Sequence, residues 1–376
     1  MDISDISFLL GAFQAFSLKN LVMVLAGGLL IYLAVKKDFE PMLLLPIGFG
    51  AILANLPLTG MTDAGQGGFL GILYQAGITT ELFPLLIFIG IGAMTDFGPL
   101  LENPKMAILG AAGQVGIFGT LLLALKIGFD LNEAASIGII GAIDGPTAIY
   151  VSSRLAPHLL GPIAVTAYSY MSLVPIIQPP IMRLLTTEKE RKVRMPYTEK
   201  PISKTVKILF PIVVTILISL LSPKASPLIA TLMFGNLMRE SGVVERLSKS
   251  AQNEIANVTT IFLGLTIGST MSGDSFIQTD TLLILGMGLL AFVLDTMGGV
   301  LVGKVMYLLS GKKFNPLIGA AGISAFPMSA RIVQKVGQEY DLDNFLLMHA
   351  MGANTAGQLG SVVAGGVVLM LLSGAF

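Results

Sequence analysis

The residues best suited to chemistry are Asp144, Gly145, Pro146 and Thr147, set in the middle of an otherwise apolar stretch from Ala134 to Leu155. A carboxylate at that depth in lipid is costly unless it is protonated, paired or bound to a cation. Pro146 removes a backbone donor and disrupts the helical turn before it, leaving carbonyls without helical partners. A carboxylate, freed carbonyls and the Thr147 hydroxyl together form an all-oxygen set suited to a hard cation such as sodium. A simple helix kink with a hydrogen-bonded aspartate would use the same residues, so both readings stand on these letters alone.

A similar element recurs later in the chain. The pattern Gly138-x-x-Gly141-x-x-x-x-Pro146 reappears as Gly319-x-x-Gly322-x-x-x-x-Pro327. This second element has no carboxylate, but it offers Asn315, Ser324 and Ser329, whose neutral oxygens can complete a cation's coordination. Arg331 follows Pro327 closely, placed either to bind an anion or to extend to the membrane interface.

Other polar residues in apolar segments give weaker signals. Asp295 could be a second cation ligand or the partner of Lys304. Asp96, Asp274, Asn257, Thr260, Asn354 and Thr355 lie near breaks or span ends, where capping explains most of them. Tyr168 and Tyr170 lie in an apolar helix ahead of Pro175, so their hydroxyls need partners and could move a proton. His158 flanks a span start and His349 falls in an apolar run; neither has a metal-ligand neighbour at useful spacing, so no transition-metal site is indicated. No phosphate-binding Walker sequence is present, so nucleotide hydrolysis is not the driver.

The elements that must hold these residues are membrane helices. Of 376 residues, 53% are hydrophobic and 12% are charged, against about 25% charged in soluble domains. The mean hydropathy of +0.80 comes from many separate apolar stretches broken by Gly and Pro. With roughly 20 residues needed per crossing, fewer where a helix is interrupted, we expect an all-α integral membrane fold of about ten or eleven transmembrane or re-entrant helices.

The chain divides into an N-terminal amphipathic segment (1–20), a first transmembrane half (21–186), a basic linker (187–207) and a second half (208–376). The linker holds Lys189, Arg191, Lys192, Arg194, Lys200 and Lys204, which the positive-inside rule places in the cytoplasm. Phe69–Ala76 and Leu82–Met94 are each too short to cross unaided, so broken or re-entrant helices are expected there.

The two halves read as repeats, expected to be inverted. Ile87-Phe88-Ile89-Gly90-Ile91 matches Ile261-Phe262-Leu263-Gly264-Leu265, in the same order as the Gly/Pro match downstream. Duplication with interrupted helices at corresponding positions points to a transporter-like core with its site between the repeats. A net charge of zero gives no reason to expect a nucleic-acid partner. The absence of Cys excludes disulfides and thiolate chemistry.

Asp144-Gly145-Pro146-Thr147, the run from Ala167 through Tyr168, Tyr170 and Pro175 to Pro179-Pro180, and Asn315-Pro316 with Gly319, Ser324 and Arg331 together resemble the beta subunit of sodium-pumping, biotin-dependent decarboxylases. That family serves oxaloacetate, methylmalonyl-CoA and glutaconyl-CoA, and the resemblance covers the chain from about Leu21 onward.

It implies a carboxybiotin decarboxylase subunit that couples decarboxylation to sodium export and consumes a proton. It also implies a multi-pass protein of a bacterial cytoplasmic membrane. Asp144, Thr147, Asn315 and Ser324 would then be sodium ligands, Tyr170 the proton donor or relay, and Arg331, with Asn315 and Gly319, the contact for carboxybiotin. The implied partners are a biotin carrier protein, a carboxyltransferase alpha subunit, a small gamma or delta anchoring subunit, and further copies of the chain.

No biotin-attachment sequence and no carboxyltransferase-sized soluble domain occur in the chain, in keeping with that division of labour. Its length suggests a CoA-thioester complex over the oxaloacetate type. A sodium-coupled secondary transporter using Asp144 and Asp295 without chemistry is the rival. It explains the broken helices equally well but not the Tyr-rich, Pro-tailed block.

Overall fold

The computed structural model describes residues 11–37, 40–197 and 201–372, and every regular element among them is helical. Of the expected N-terminal segment 1–20, residues 1–10 lie outside the described residues, and Leu18 already opens the first long helix.

We number the longer helices in chain order: α1 (Leu18–Lys37), α2 (Pro41–Ala54), α3 (Leu82–Met94), α4 (Met106–Ala112), α5 (Val115–Ile127), α6 (Leu131–Gly138), α7 (Gly145–Leu155), α8 (Leu160–Ser172), α9 (Val174–Leu185), α10 (Lys204–Leu221), α11 (Ser226–Ser241), α12 (Ala256–Ser269), α13 (Thr279–Leu309), α14 (Met328–Tyr340) and α15 (Leu347–Leu372).

By length and hydropathy five spans are able to cross a bilayer: α1, the Met106–Ile127 pair, α10, α13 and α15. Two bent pairs raise this to seven. Phe69–Thr79 meets α3 at 62°, and Pro157–Ser172 meets α9 at 66°. Pro175 at the start of α9 accounts for the second bend, because a proline cannot continue the hydrogen-bond ladder of the helix before it. Along α10 the side chains of Leu209, Ile212, Val213, Ile216, Leu217, Leu220 and Leu221 are exposed. Such a stripe calls for a nonaqueous neighbour, lipid or another protein surface.

The two segments singled out in the sequence fold as hairpins that turn back inside the bundle. In the first, α6 leads through a short 3-10 turn (Ile139–Ala142) to Asp144, and α7 returns. Asp130 caps α6 by accepting from the backbone N–H of Asn132 and Glu133, while Glu133 accepts from Asp130 N–H. The same Glu133 lies 2.9 Å from His158 Nε2, so the two ends of the hairpin meet. Arg154, near the end of α7, is paired with Glu81 at the start of α3.

The second hairpin runs from Asn315 through the 3-10 stretch Pro316–Gly322 to the turn at Ser324–Pro327, and α14 returns. Asn315 caps its entry by accepting from Leu317 N–H, and it donates to the carbonyls of Arg191 (3.0 Å) and Val193 (2.9 Å). The Arg191 guanidinium lies 4.6 Å over the Tyr340 ring, which ties the far end of α14 to the same linker. Arg194 clamps Asp341 and holds its carboxyl below the usual carboxylate range by hydrogen bonding to the charged form.

These ties fix the sides. The second hairpin has its ends on the linker. The first hairpin ends beside Glu81, whereas the opposite end of α3 reaches the linker side: Arg239 donates to Met94 O (2.7 Å), and Glu240 next to it faces Lys207 at 3.9 Å. The hairpins therefore enter from opposite ends of the helical bundle.

Gly319 of the second hairpin packs backbone to backbone on α13. A Cβ at Gly319 would lie 1.9 Å from Gly299 O, and a Cβ at Gly299 would lie 2.1 Å from Gly319 O. Neither backbone has room to move, so any side chain forces the hairpin off its helix. We expect Gly319→Val and Gly299→Val each to destabilise the detergent-solubilised protein by about 2 kcal/mol or more, read as a lowered melting temperature. Gly28→Ala, whose new Cβ would meet nothing within 4 Å, should leave it unchanged.

Candidate functional site

The turn of the first hairpin is a strained one. Ile143 sits at φ 53°, a left-handed conformation that costs a β-branched residue roughly 1–3 kcal/mol. That turn aims Asp144 into the bundle, where it is 4% exposed. Three side chains donate to the same carboxylate oxygen: Thr147 Oγ1 at 2.8 Å, Ser361 Oγ at 3.0 Å and Gln358 Nε2 at 3.1 Å, all to Oδ2. Oδ1 receives no side-chain donor among the described residues. Thr147 is one turn along α7, as the sequence suggested, whereas Gln358 and Ser361 come from α15.

Asp144 lines a cavity of about 350 Å³. The tips of both hairpins meet there: Asp144, Gly145 and Pro146 from the first, and Ser324, Phe326 and Pro327 from the second. The crossing helices contribute Leu43, Met94 and Thr260. These lie near the start of α2, at the end of α3 and near the start of α12, which are their linker-side portions. The linker-side portions of three crossing helices thus form part of its wall.

Ser324 is buried at this junction and donates to Gly357 O at 3.0 Å. The second hairpin tip is held further by Asn354, which donates to Ile323 O at 2.6 Å while its Oδ1 has no partner.

The two tyrosines part company. A helix turns about 100° per residue, so side chains two apart face nearly opposite ways. Tyr168 faces the cavity, its ring packed on Gly145, where a Cβ would come within 2.1 Å of it. Its hydroxyl is buried without a hydrogen-bond partner. Tyr170 faces away and donates to Leu285 O on α13 at 2.8 Å. Asn315 and Gly319 likewise lie apart from the cavity lining, the first spent on the linker carbonyls and the second on the α13 backbone. Arg331 is exposed on α14, one turn beyond Pro327.

Among the weaker candidates, Asp295 is buried with one oxygen accepting from Gly116 N–H and the other unpartnered. It does not pair with Lys304, correcting one of the two readings given above. Nine residues of helix place the two about 13 Å apart on opposite faces, and Lys304 instead reaches Leu185 O (3.0 Å) and Glu190 (3.5 Å). Asp96 caps Gly98 N–H and pairs with Arg239, and Asp274 pairs with Lys19. Asn257 is exposed, and Thr355 bonds its own helix. Thr260 lines the cavity. No group of three or more acidic or histidine side chains able to hold a metal occurs among the described residues, so a cation here would rest on Asp144 and neutral oxygens.

Gln358 and Ser361 were missed by sequence reasoning. Their spacing of three places them on one helix face, but nothing in the letters says that this face meets Asp144.

Comparison with known proteins gives a consistent picture. The family described as Na+-transporting oxaloacetate decarboxylase beta subunit matches residues 19–372. The chain is 54% identical over 361 residues to the methylmalonyl-CoA decarboxylase subunit beta of Veillonella parvula, covering 96% of this chain and 95% of that one. It is 55% identical to the glutaconyl-CoA decarboxylase subunit beta of Acidaminococcus fermentans, covering 96% of each. To the oxaloacetate decarboxylase beta chain 2 of Salmonella typhi it is 50% identical, covering 96% of this chain and 95% of that one.

Gln358→Leu or Ser361→Ala removes a donor from a buried charge. On the expectation that Asp144 holds sodium, each should weaken that binding about tenfold, the equivalent of ~1.4 kcal/mol. The check is the rise in melting temperature with NaCl over KCl at equal ionic strength, which should shrink in both variants.

Proposed function

The chain belongs to the family of Na+-transporting oxaloacetate decarboxylase beta subunits, and from that membership we propose how its central cavity works. The protein is the sodium-transporting membrane component of a decarboxylase. In our reading it decarboxylates carboxybiotin at the Asp144 cavity and exports the sodium ion held there.

The observation that carries this reading is the position of Asp144. It lies at the tip of a hairpin entering from one end, under the tip of a hairpin entering from the other, in a cavity walled in part by the linker-side portions of α2, α3 and α12. Loss of carbon dioxide from a carboxylated ring nitrogen breaks the N–C bond, leaves the electron pair on nitrogen and requires one proton there. Asp144 can hold a sodium ion or a proton, and whichever enters displaces the other. A sodium ion taken from the cytoplasm thus frees a proton for the ring nitrogen. The hydroxyl of Tyr168 is the nearest unbonded relay, and Tyr170 supports it by tying α8 to α13.

Thr147 and Ser324 supply further sodium ligands, and Arg331 meets the substrate carboxylate. Asn315 and Gly319 serve by placing the second hairpin. We place the chain in a bacterial cytoplasmic membrane, working with a biotin carrier, a carboxyltransferase alpha subunit, a gamma or delta anchoring subunit and further copies of itself. Identities of 54% and 55% to the CoA-thioester relatives, against 50% to the oxaloacetate one, favour a CoA-thioester complex.

The two-repeat organisation belongs to the same proposal. α3 and α12, which carry the matched sequences, run in opposite directions, as do the two hairpins. Such a pair can close one end while opening the other. The transporter reading without chemistry shares this architecture, but the relatives named above are all decarboxylase subunits.

In proteoliposomes, carboxybiotin should release carbon dioxide only with sodium present, and sodium should accumulate as it does so. Asp144→Asn should lower both by at least about a hundredfold, because it removes the charge that holds the ion. Sodium flux without carboxybiotin turnover would instead make the chain a transporter.

A further inference from the structure

The linker side of the molecule is rich in charge, and several of its cations are matched. Arg183 pairs with Glu339, Lys192 with Glu188, Arg194 with Asp341 and Asp343, Lys207 and Arg239 with Glu240, and Lys304 with Glu190. Lys105, Lys189, Lys204, Lys312 and Lys313 have no ion pair among the described residues, and two further unpaired cations share one face of α14. Arg331 and Lys335 are both exposed, and among the described residues neither has an ion pair or a side-chain hydrogen bond.

They stand one turn apart on the same helix face, about 6 Å along the axis, where like charges repel. The opposite face of α14 is buried through Ser329, Ala330, Ile332, Val333, Val336 and Gly337. The third exposed residue of the charged face, Glu339, is neutralised by Arg183 at 2.6 Å.

The course of α14 gives this row a direction. Its first turn begins beside Pro327, which lines the Asp144 cavity, and its last residue, Tyr340, lies under the linker at Arg191. A bare cationic row at that depth does not face hydrocarbon. Contact with water from the linker side is the cheaper surrounding for it, and the row runs from there toward the hairpin tip.

We infer that Lys335 is a substrate-recruiting residue, the outer rung of a two-cation ladder with Arg331 that draws an anionic carboxylate toward the Asp144 cavity. The ligand is the carboxylated biotin ring, whose carboxylate is the anion the reaction consumes. The inference rests on the decarboxylase reading and adds a residue that the family resemblance did not supply. A ladder of two charges fits a substrate that arrives on a long arm and is handed inward, with Lys335 meeting the carboxylate first and Arg331 holding it nearer the hairpin tip. Lys335 acts on binding and does not touch the ion or the proton.

The alternative is a lysine that extends to water and has only a solvating role. The two differ in kinetics. Proteoliposomes of the full chain, saturated with sodium, are supplied with free carboxybiotin at varied concentration and at two ionic strengths. Lys335→Glu should raise KM about tenfold and Lys335→Gln about threefold, with kcat within about twofold of native, the scale of partly screened charge interactions. Lys335→Arg should restore the native KM, and added salt should narrow the difference.

A native KM and native salt dependence in Lys335→Glu overturn the inference while leaving the decarboxylase reading intact. So does a loss confined to kcat with a lowered melting temperature. Absence of sodium-dependent turnover in the native chain overturns the decarboxylase reading, and this inference with it.

Discussion

A carboxylate buried inside an apolar helical bundle is the constraint around which the rest of this molecule is arranged. Without partners Asp144 would be expelled or neutralised. The chain keeps it by breaking a helix at the Asp144-Gly145-Pro146 turn, by holding Ile143 in a left-handed conformation ahead of it, and by converging Thr147, Gln358 and Ser361 on one oxygen. Those donors are hydroxyls and an amide, groups that stabilise the charge without cancelling it. An ion or a proton can therefore still compete for the site.

Irregular backbone at that depth is tolerable only where protein or water, and not lipid, surrounds it. This explains the layering. Helices such as α10 take the lipid contact, and the broken segments are enclosed behind them. It also explains why the second hairpin lies so close to α13: Gly299 and Gly319 remove the side chains that would hold the backbones apart, so the hairpin's unpaired groups stay covered. The two tips then share a single cavity.

Much of this was legible in the sequence. Composition demanded a membrane protein, Gly and Pro marked the broken helices, and Asp144 stood out because a charge in such a stretch needs a reason. The role of Thr147 as a neighbour followed from one turn of helix. The contacts that Asn315 and Gly319 make with the linker carbonyls and the α13 backbone were not legible, because both partners are distant in the chain.

The sequence by itself determined that the chain is an apolar helical protein with interrupted helices and a carboxylate in one of them, because burial cost and proline geometry are local properties of the chain. Only the tertiary structure decided which side chains meet. Gln358 and Ser361 lie more than two hundred positions from Asp144, and no spacing rule connects them. Tyr168 and Tyr170 are near-identical in the letters, yet the rotation of α8 against its neighbours sends one to the cavity and the other to Leu285. Side-chain direction depends on how a helix is turned within the bundle, and that turn is set by the summed packing of all its neighbours.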